Sequence, residues 1–288
     1  MAAADLLRGY SIEVTARDTT AAEVCASVLR PGTEVYIAFT RASSHAAVVG
    51  IAGELRAAGF IPVPHLVARS FSNFTQFADL AARLHDAGTD AALVIGGDQD
   101  RPAGPFHSAL DLLRTGVLAR REFRRIGLAC YPEPHRRIDQ AKLEAALFEK
   151  LDAVAADGMA PWLVSQFCLD AGPIVALTET LRARGIAAPL RIGIAGLTDR
   201  RTLWKYALSC GIGASIRALG THADVLRDLL TRDTPDTLVA DLATRLGACG
   251  ELGIAGLHIF SFGGVAGAAD WANAALAAPP VGALRSGP

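Results

Sequence analysis

The sequence predicts an α/β protein whose parallel strands close into a single (β/α)₈ barrel of the TIM type, spanning residues 1–288. Three observations predict it. Short apolar runs and longer amphipathic runs alternate along the whole chain. The short runs are nearly continuous in Val, Ile, Leu and Phe, as strands covered on both faces are. No strong dinucleotide-binding glycine fingerprint supports the competing doubly wound open sheet.

The strand-like runs are YSIEVTA (10–16), EVYIAFT (34–40), IPVPHLVAR (61–69), AALVIGGD (91–98), RIGLACYP (125–132), PWLVSQFCL (161–169), LRIGIAG (190–196) and GLHIFSFG (256–263). Between them, SHAAVVGIAGELRAAG, NFTQFADLAARLHDAG and AKLEAALFEKLDAVAADG carry apolar residues at helical spacing. Each ends on glycine, a common helix stop. The interval from Gly196 to Gly256 is longer than the others and holds three helical stretches, 199–210, 221–232 and 236–249. They read as the seventh barrel helix plus an inserted pair.

Lys and Arg (28) nearly balance Asp and Glu (29), which leaves no electrostatic footprint for nucleic acid or an anionic membrane. No apolar run is long enough and free enough of charge to cross a bilayer. The first residues, MAAADLLRGY, carry an acid and make a poor secretion signal. Cys25, Cys130, Cys168, Cys210 and Cys249 are widely spaced inside apolar segments, with no CxxC. They read as buried thiols of a cytoplasmic protein, and no metal site is expected.

In such a barrel the C-terminal strand ends carry the site. Glu13 lies within the first strand, Thr40 ends the second, and His65 is near the end of the third. Asp98 ends the fourth, and Tyr131 ends the fifth with Glu133 and His135 beyond. Gln166 lies in the sixth and Ser261 in the eighth. Each has a structural alternative. Glu13 could pair with a structural arginine, since a buried lone carboxylate is costly. His65 could be a core histidine, Gln166 a strand-end hydrogen bonder and Asp98 a cap, while Asp100 and Arg101 read as a solvated loop pair. The glycine pair ahead of an acid in VIGGDQDRP could bind phosphate, hold a metal, present a catalytic carboxylate, or simply be a tight turn.

The motifs SIEVTARD, VPHLVAR, VIGGDQDRP, ACYPEPHRR, LVSQFCLD and LHIFSFGG, in that order, resemble the methylenetetrahydrofolate reductase family over about residues 10–278. The resemblance implies a (β/α)₈ barrel with Glu13 as general acid. It implies pterin contacts from Asp98 and Gln166, with Phe262 near the ligand-stacking region. It places Thr40, His65, Gly97, Tyr131 and His135 at positions that serve a flavin in flavin-containing relatives. The reaction implied is reduction of 5,10-methylenetetrahydrofolate to 5-methyltetrahydrofolate with hydride from NADH or NADPH. Three cationic positions of the family are Gly96, Ala155 and Gly264 here, so bound FAD is left open beside a flavin-independent route. Expected partners are a folate substrate and a second copy of the chain. The alternatives are a folate/corrinoid methyltransferase-type barrel and a non-catalytic pterin-binding relative.

Overall fold

The computed structural model describes residues 2–210, 235–248 and 252–277. Eight parallel strands close in sequence order into one barrel: β1 (Ser11–Thr15), β2 (Glu34–Ala38), β3 (Ile61–Val67), β4 (Ala91–Ile95), β5 (Arg125–Cys130), β6 (Ala160–Ser165), β7 (Leu190–Ala195) and β8 (Ile254–Phe260). Closure is made by β1 against β8, with Ser11 beside His258. The open-sheet alternative is thereby excluded.

The helices expected from glycine-terminated amphipathic runs form at His45–Ala57, Phe74–Asp86 and Gln140–Ala156. Ser44, Asn73 and Asp139 cap their first turns by accepting hydrogen bonds from Ala47, Gln76 and Ala141 N–H groups. Gly59, Gly88 and Gly158, just beyond the last turns, have positive φ. Of the three stretches expected between β7 and β8, helices Arg200–Cys210 and Asp236–Ala248 are present, while 221–232 lies outside the described residues. No helix among the described residues is long and apolar enough to cross a membrane.

Among the described residues, buried apolar side chains form a small cluster of Phe167, Ala195 and Ala207 and two main cores. The larger lies between the strands and the helical ring and includes Ile12, Val35, Leu66, Val94, Leu128 and Ile192. The smaller fills the barrel itself with Tyr36, Val63, Ala91, Leu93, Trp162 and Val164. This inside–outside alternation follows from the two-residue period of a strand. It explains why the runs read as continuously apolar: both faces are buried.

The strand runs read from sequence overshoot at their C-terminal ends. β2 ends at Ala38, so Thr40 lies in the following turn, where its hydroxyl meets Ser43 Oγ at 2.9 Å. β4 ends at Ile95, so Gly97 and Asp98 belong to the loop beyond it. β5 ends at Cys130, β6 at Ser165 and β8 at Phe260, which puts Tyr131, Gln166 and Ser261 one residue past their strands. Apolar character continues past the last ladder bond because these rim segments still cover the core. Cys168, for example, is fully buried beyond β6.

Candidate active site at the barrel mouth

The register fixes which side chains share a level inside the barrel. Alternate strands contribute to each layer. Followed around the ring, Glu13, His65, Ala129 and Gly193 share one layer. Below it lie Tyr36, Leu93, Val164 and His258; above it lie Ala38, Ile95, Gln166 and Phe260. Two small residues in the Glu13 layer keep it from being filled by side chains of that level. Phe260 packs over Gly193, where an added Cβ would come within 2.8 Å of its ring.

Glu13 Oε2 lies 3.6 Å from His65 Nε2. The contact is too long for a hydrogen bond, and His65 Nε2 is buried without any hydrogen-bond partner. The two side chains are only 16 % and 9 % exposed. Burial pushes the Glu13 carboxyl up to about 8 and holds the His65 imidazole down at about 4. Near pH 7 the pair is therefore a neutral acid beside a neutral ring. Among the described residues no arginine pairs with Glu13, and burial alone is the cause of both shifts. The Glu13 backbone is held from the opposite side of the closure, where its carbonyl accepts a hydrogen bond from the Ser261 hydroxyl.

Beneath this pair lies a polar group the sequence reading missed. His258 is buried, with its Nδ1 2.9 Å from Ser11 Oγ and its ring 4.3 Å from that of Tyr36. The Tyr36 hydroxyl in turn accepts a 2.8 Å hydrogen bond from Trp162 Nε1. Burial, helped by His65 and Arg191, keeps His258 neutral. Burial also raises the Tyr36 hydroxyl above its ordinary value. The signal was available: His258 stands two residues before Phe260 on the inward face of β8. The apolar run LHIFSFG hid it.

Above the pair, β6 and β7 separate. Their ladder joins only Leu163 and Val164 to Leu190 and Arg191, and the Gly193 N–H donates instead to Ser165 Oγ at 2.8 Å. Gln166 emerges at this split. Its N–H stays on β5 through Cys130 O, and its side-chain oxygen accepts from Phe167 N–H. One wall beside it is aromatic: Phe167, Phe260, Phe262 and Tyr206 lie within 6.4 Å of one another, centre to centre, in successive contacts. Tyr206 stacks on Phe262, whose φ of 49° is in the left-handed region. Such a conformation is rare for a bulky residue.

The other sequence candidates lie farther out. Asp98 is exposed, and its carbonyl receives Arg137 Nη1 at 3.3 Å. Arg137 also pairs with Asp100 at 2.7 Å, so Asp100 is a solvated loop acid whose partner is Arg137 rather than Arg101. Tyr131 and His135 meet edge to face at 5.1 Å. Gly97 has φ 95°, and a Cβ there would fall 2.6 Å from Val67 Cγ1. Its glycine is thus required by the packing of the loop on β3. Arg69 anchors the same loop by donating to the carbonyls of Gln99 and His107.

Cys25, Cys130 and Cys168 are buried free thiols. Among the described residues, no cluster of three or more His, Cys, Asp or Glu side chains assembles. No protein-family model matches the chain.

Proposed function

We propose that this barrel reduces the methylene bridge of 5,10-methylenetetrahydrofolate, or of a close pterin analogue, with hydride from NADH or NADPH. The observation that carries this reading is Glu13, a carboxyl kept protonated near pH 7 at the open end of a barrel. A carboxylic acid tuned to about 8 suits general acid catalysis at neutral pH.

The bridge joins two ring-system nitrogens, N5 and N10. Glu13 gives its proton to N10, the C–N10 bond breaks, and the carbon remains on N5 as an iminium. Hydride from the nicotinamide adds to that carbon and leaves a methyl group. Gln166 stands one layer above Glu13 and offers both donor and acceptor atoms to an amide edge. Phe260 and Phe262 supply apolar faces for a flat heterocycle.

Three cationic positions of the resembling family are Gly96, Ala155 and Gly264 here, and two of the cations near them are engaged or buried. Arg137 is engaged by Asp100 and the Asp98 carbonyl. Lys150, the nearest lysine in sequence to Ala155, is largely buried, which lowers its pKa. Gly97 is packed against Val67, and His65 sits within the barrel beside Glu13. In this reading hydride passes directly between the two bound substrates.

The freshly purified protein is expected to lack visible flavin absorption. It should oxidise reduced nicotinamide when methylenetetrahydrofolate is added without FAD, with sequential kinetics. A tightly held flavin with ping-pong kinetics would overturn the direct route. No nicotinamide oxidation with any reduced pterin would overturn the reductase reading.

A further inference from the structure

His65 Nε2 is a buried ring nitrogen with no hydrogen-bond partner, aimed at the one carboxyl oxygen 3.6 Å away. An unsatisfied buried polar atom is costly in a resting structure. The arrangement makes sense if its partner is formed during the reaction. We propose that His65 is the positioning residue for Glu13: with its hydrogen on Nε2, it receives the carboxylate left when Glu13 gives up its proton, and the gap closes to a hydrogen bond. The proposal rests on the acid role given to Glu13 above.

The proton moves from Glu13 to the substrate nitrogen, His65 keeps its own, and Glu13 is reprotonated from solvent after product leaves. Before transfer, two neutral groups 3.6 Å apart gain little from each other. After transfer, an N–H faces a carboxylate, and such charge-assisted bonds are roughly twice as strong as neutral ones. The interaction thus grows along the reaction coordinate, so it favours the transition state over bound substrate.

The surroundings favour this over a resting ion pair. From β2, Tyr36 presents a protonated hydroxyl, and its ring centre is 6.1 Å from that of His65. From β8 comes neutral His258, tied to Ser11 of β1. Arg191 of β7 is one of the causes lowering His258, but it is paired with Glu34 at 2.9 Å. Ala129 of β5 and Gly193 of β7 bring no charge at this level. Among the described residues, neither Glu13 nor His65 therefore meets an opposite charge that would ionise it in advance.

The test uses His65→Phe, which keeps a ring and loses the donor, and His65→Gln, which keeps a donor. Glu13 is titrated without substrate through its carboxyl infrared band, identified by difference from Glu13→Gln. His65→Phe is expected to raise the ionisation of Glu13 by about one pH unit, because a donor to the charged form is lost. It should also lower kcat about tenfold, with KM within twofold, and move the alkaline limb of the pH profile upward. His65→Gln should restore most of both. An unchanged Glu13 titration in His65→Phe would overturn the proposal, as would equal kcat losses in the two variants. A shifted titration in a protein that reduces no pterin would support the pair while overturning the reductase reading, so the two failures are distinguishable.

Discussion

Two glutamates sit inside this barrel, and their surroundings differ. Glu34 lies at the closed end, where Arg125 Nη1 approaches Oε1 at 2.7 Å and Arg191 Nη2 approaches Oε2 at 2.9 Å. The second contact is an ion pair poorly aligned for a hydrogen bond, since Oε2 has no hydrogen-bond partner by geometry. Arg125 also covers the Trp162 ring, 5.5 Å from its centroid. Glu13, near the open end, meets no cation among the described residues, and burial favours its protonated form instead. Both satisfy the rule that a charge is not left alone in an apolar interior, one by pairing and one by neutralisation. Pairing fixes a structure, whereas a retained proton is available for transfer. The paired glutamate at the closed end is thus suited to stability, and the retained proton at the mouth to the chemistry proposed above, in keeping with the usual polarity of such barrels.

The largest expected effect breaks the mouth. Glu13→Gln keeps the shape and removes the transferable proton. Turnover should fall about a hundredfold to ten-thousandfold, with the fold retained and folate affinity within roughly tenfold. Steady-state kinetics beside equilibrium folate binding checks this, and near-parental turnover would remove Glu13 as the acid. The corresponding change at the closed end, Glu34→Gln, should act on stability instead. It leaves two arginines facing each other without their carboxylate. Breaking a buried ion pair costs about 3–5 kcal/mol, and because Arg125 is 38 % exposed the lower end, about 3 kcal/mol, is expected. Denaturant unfolding measures that loss, while kcat per folded molecule should stay near the parent value. A kcat loss without destabilisation would erase the division of labour between the two ends.

The proton on Glu13 also has a thermodynamic signature of definite sign. Its folded value of about 8 lies above the ordinary 4.5, so the folded state holds a proton that the unfolded state releases first. This contribution to stability is intact below about pH 4.5 and is lost as pH rises toward 8. His65 works the other way: its folded value of about 4 is below the ordinary 6.5, so its contribution is lost as pH falls from 6.5 to 4. Between pH 6.5 and 8 only the Glu13 trend remains from this pair. Glu13→Gln should therefore be as stable as the parent near pH 4 and more stable at pH 8.5. The full shift sets a ceiling near 5 kcal/mol, and access to water at the mouth reduces the expected gain to about 2 kcal/mol. Parallel unfolding curves for parent and variant across that range would show that Glu13 ionises normally.

Much of this was legible in the sequence because barrel strands are buried on both faces. Their continuous apolar runs mark their positions, and Gly59, Gly88 and Gly158 mark the ends of three of the helices. Glu13 stood out because a carboxylate in such a run requires compensation. The sequence did not reveal the kind of compensation, since that depends on which side chains the closing register brings beside it. Arg125 and Arg191 are far from Glu34 in sequence and meet it only because the barrel closes. His258 was overlooked for the same reason that the strands were found: an apolar run conceals one inward polar residue. Gly97 carries a constraint that its sequence neighbours do not reveal. Its place before an acid suggests a close approach to a ligand, and Val67, brought against it by β3, independently leaves no room for a Cβ.

The smallest expected effect sets a surface ion pair against the buried one. Arg137 and Asp100 approach to 2.7 Å, the same distance as Arg125 to Glu34, but their side chains are 52 % and 81 % exposed. Water already solvates both charges, and fixing two long side chains costs entropy, so exposed pairs of this kind contribute little. Asp100→Asn should change unfolding stability by less than about 0.5 kcal/mol. It should nonetheless release a guanidinium at the mouth, since Arg137 would keep only the Asp98 carbonyl. If reduced nicotinamide lays its phosphates across this rim, the variant should bind it a few-fold more tightly, most visibly at low salt, with kcat unchanged. A stability loss as large as that of Glu34→Gln would show that distance rather than burial governs these pairs. An unchanged nicotinamide KM at low salt would place the phosphates away from Arg137.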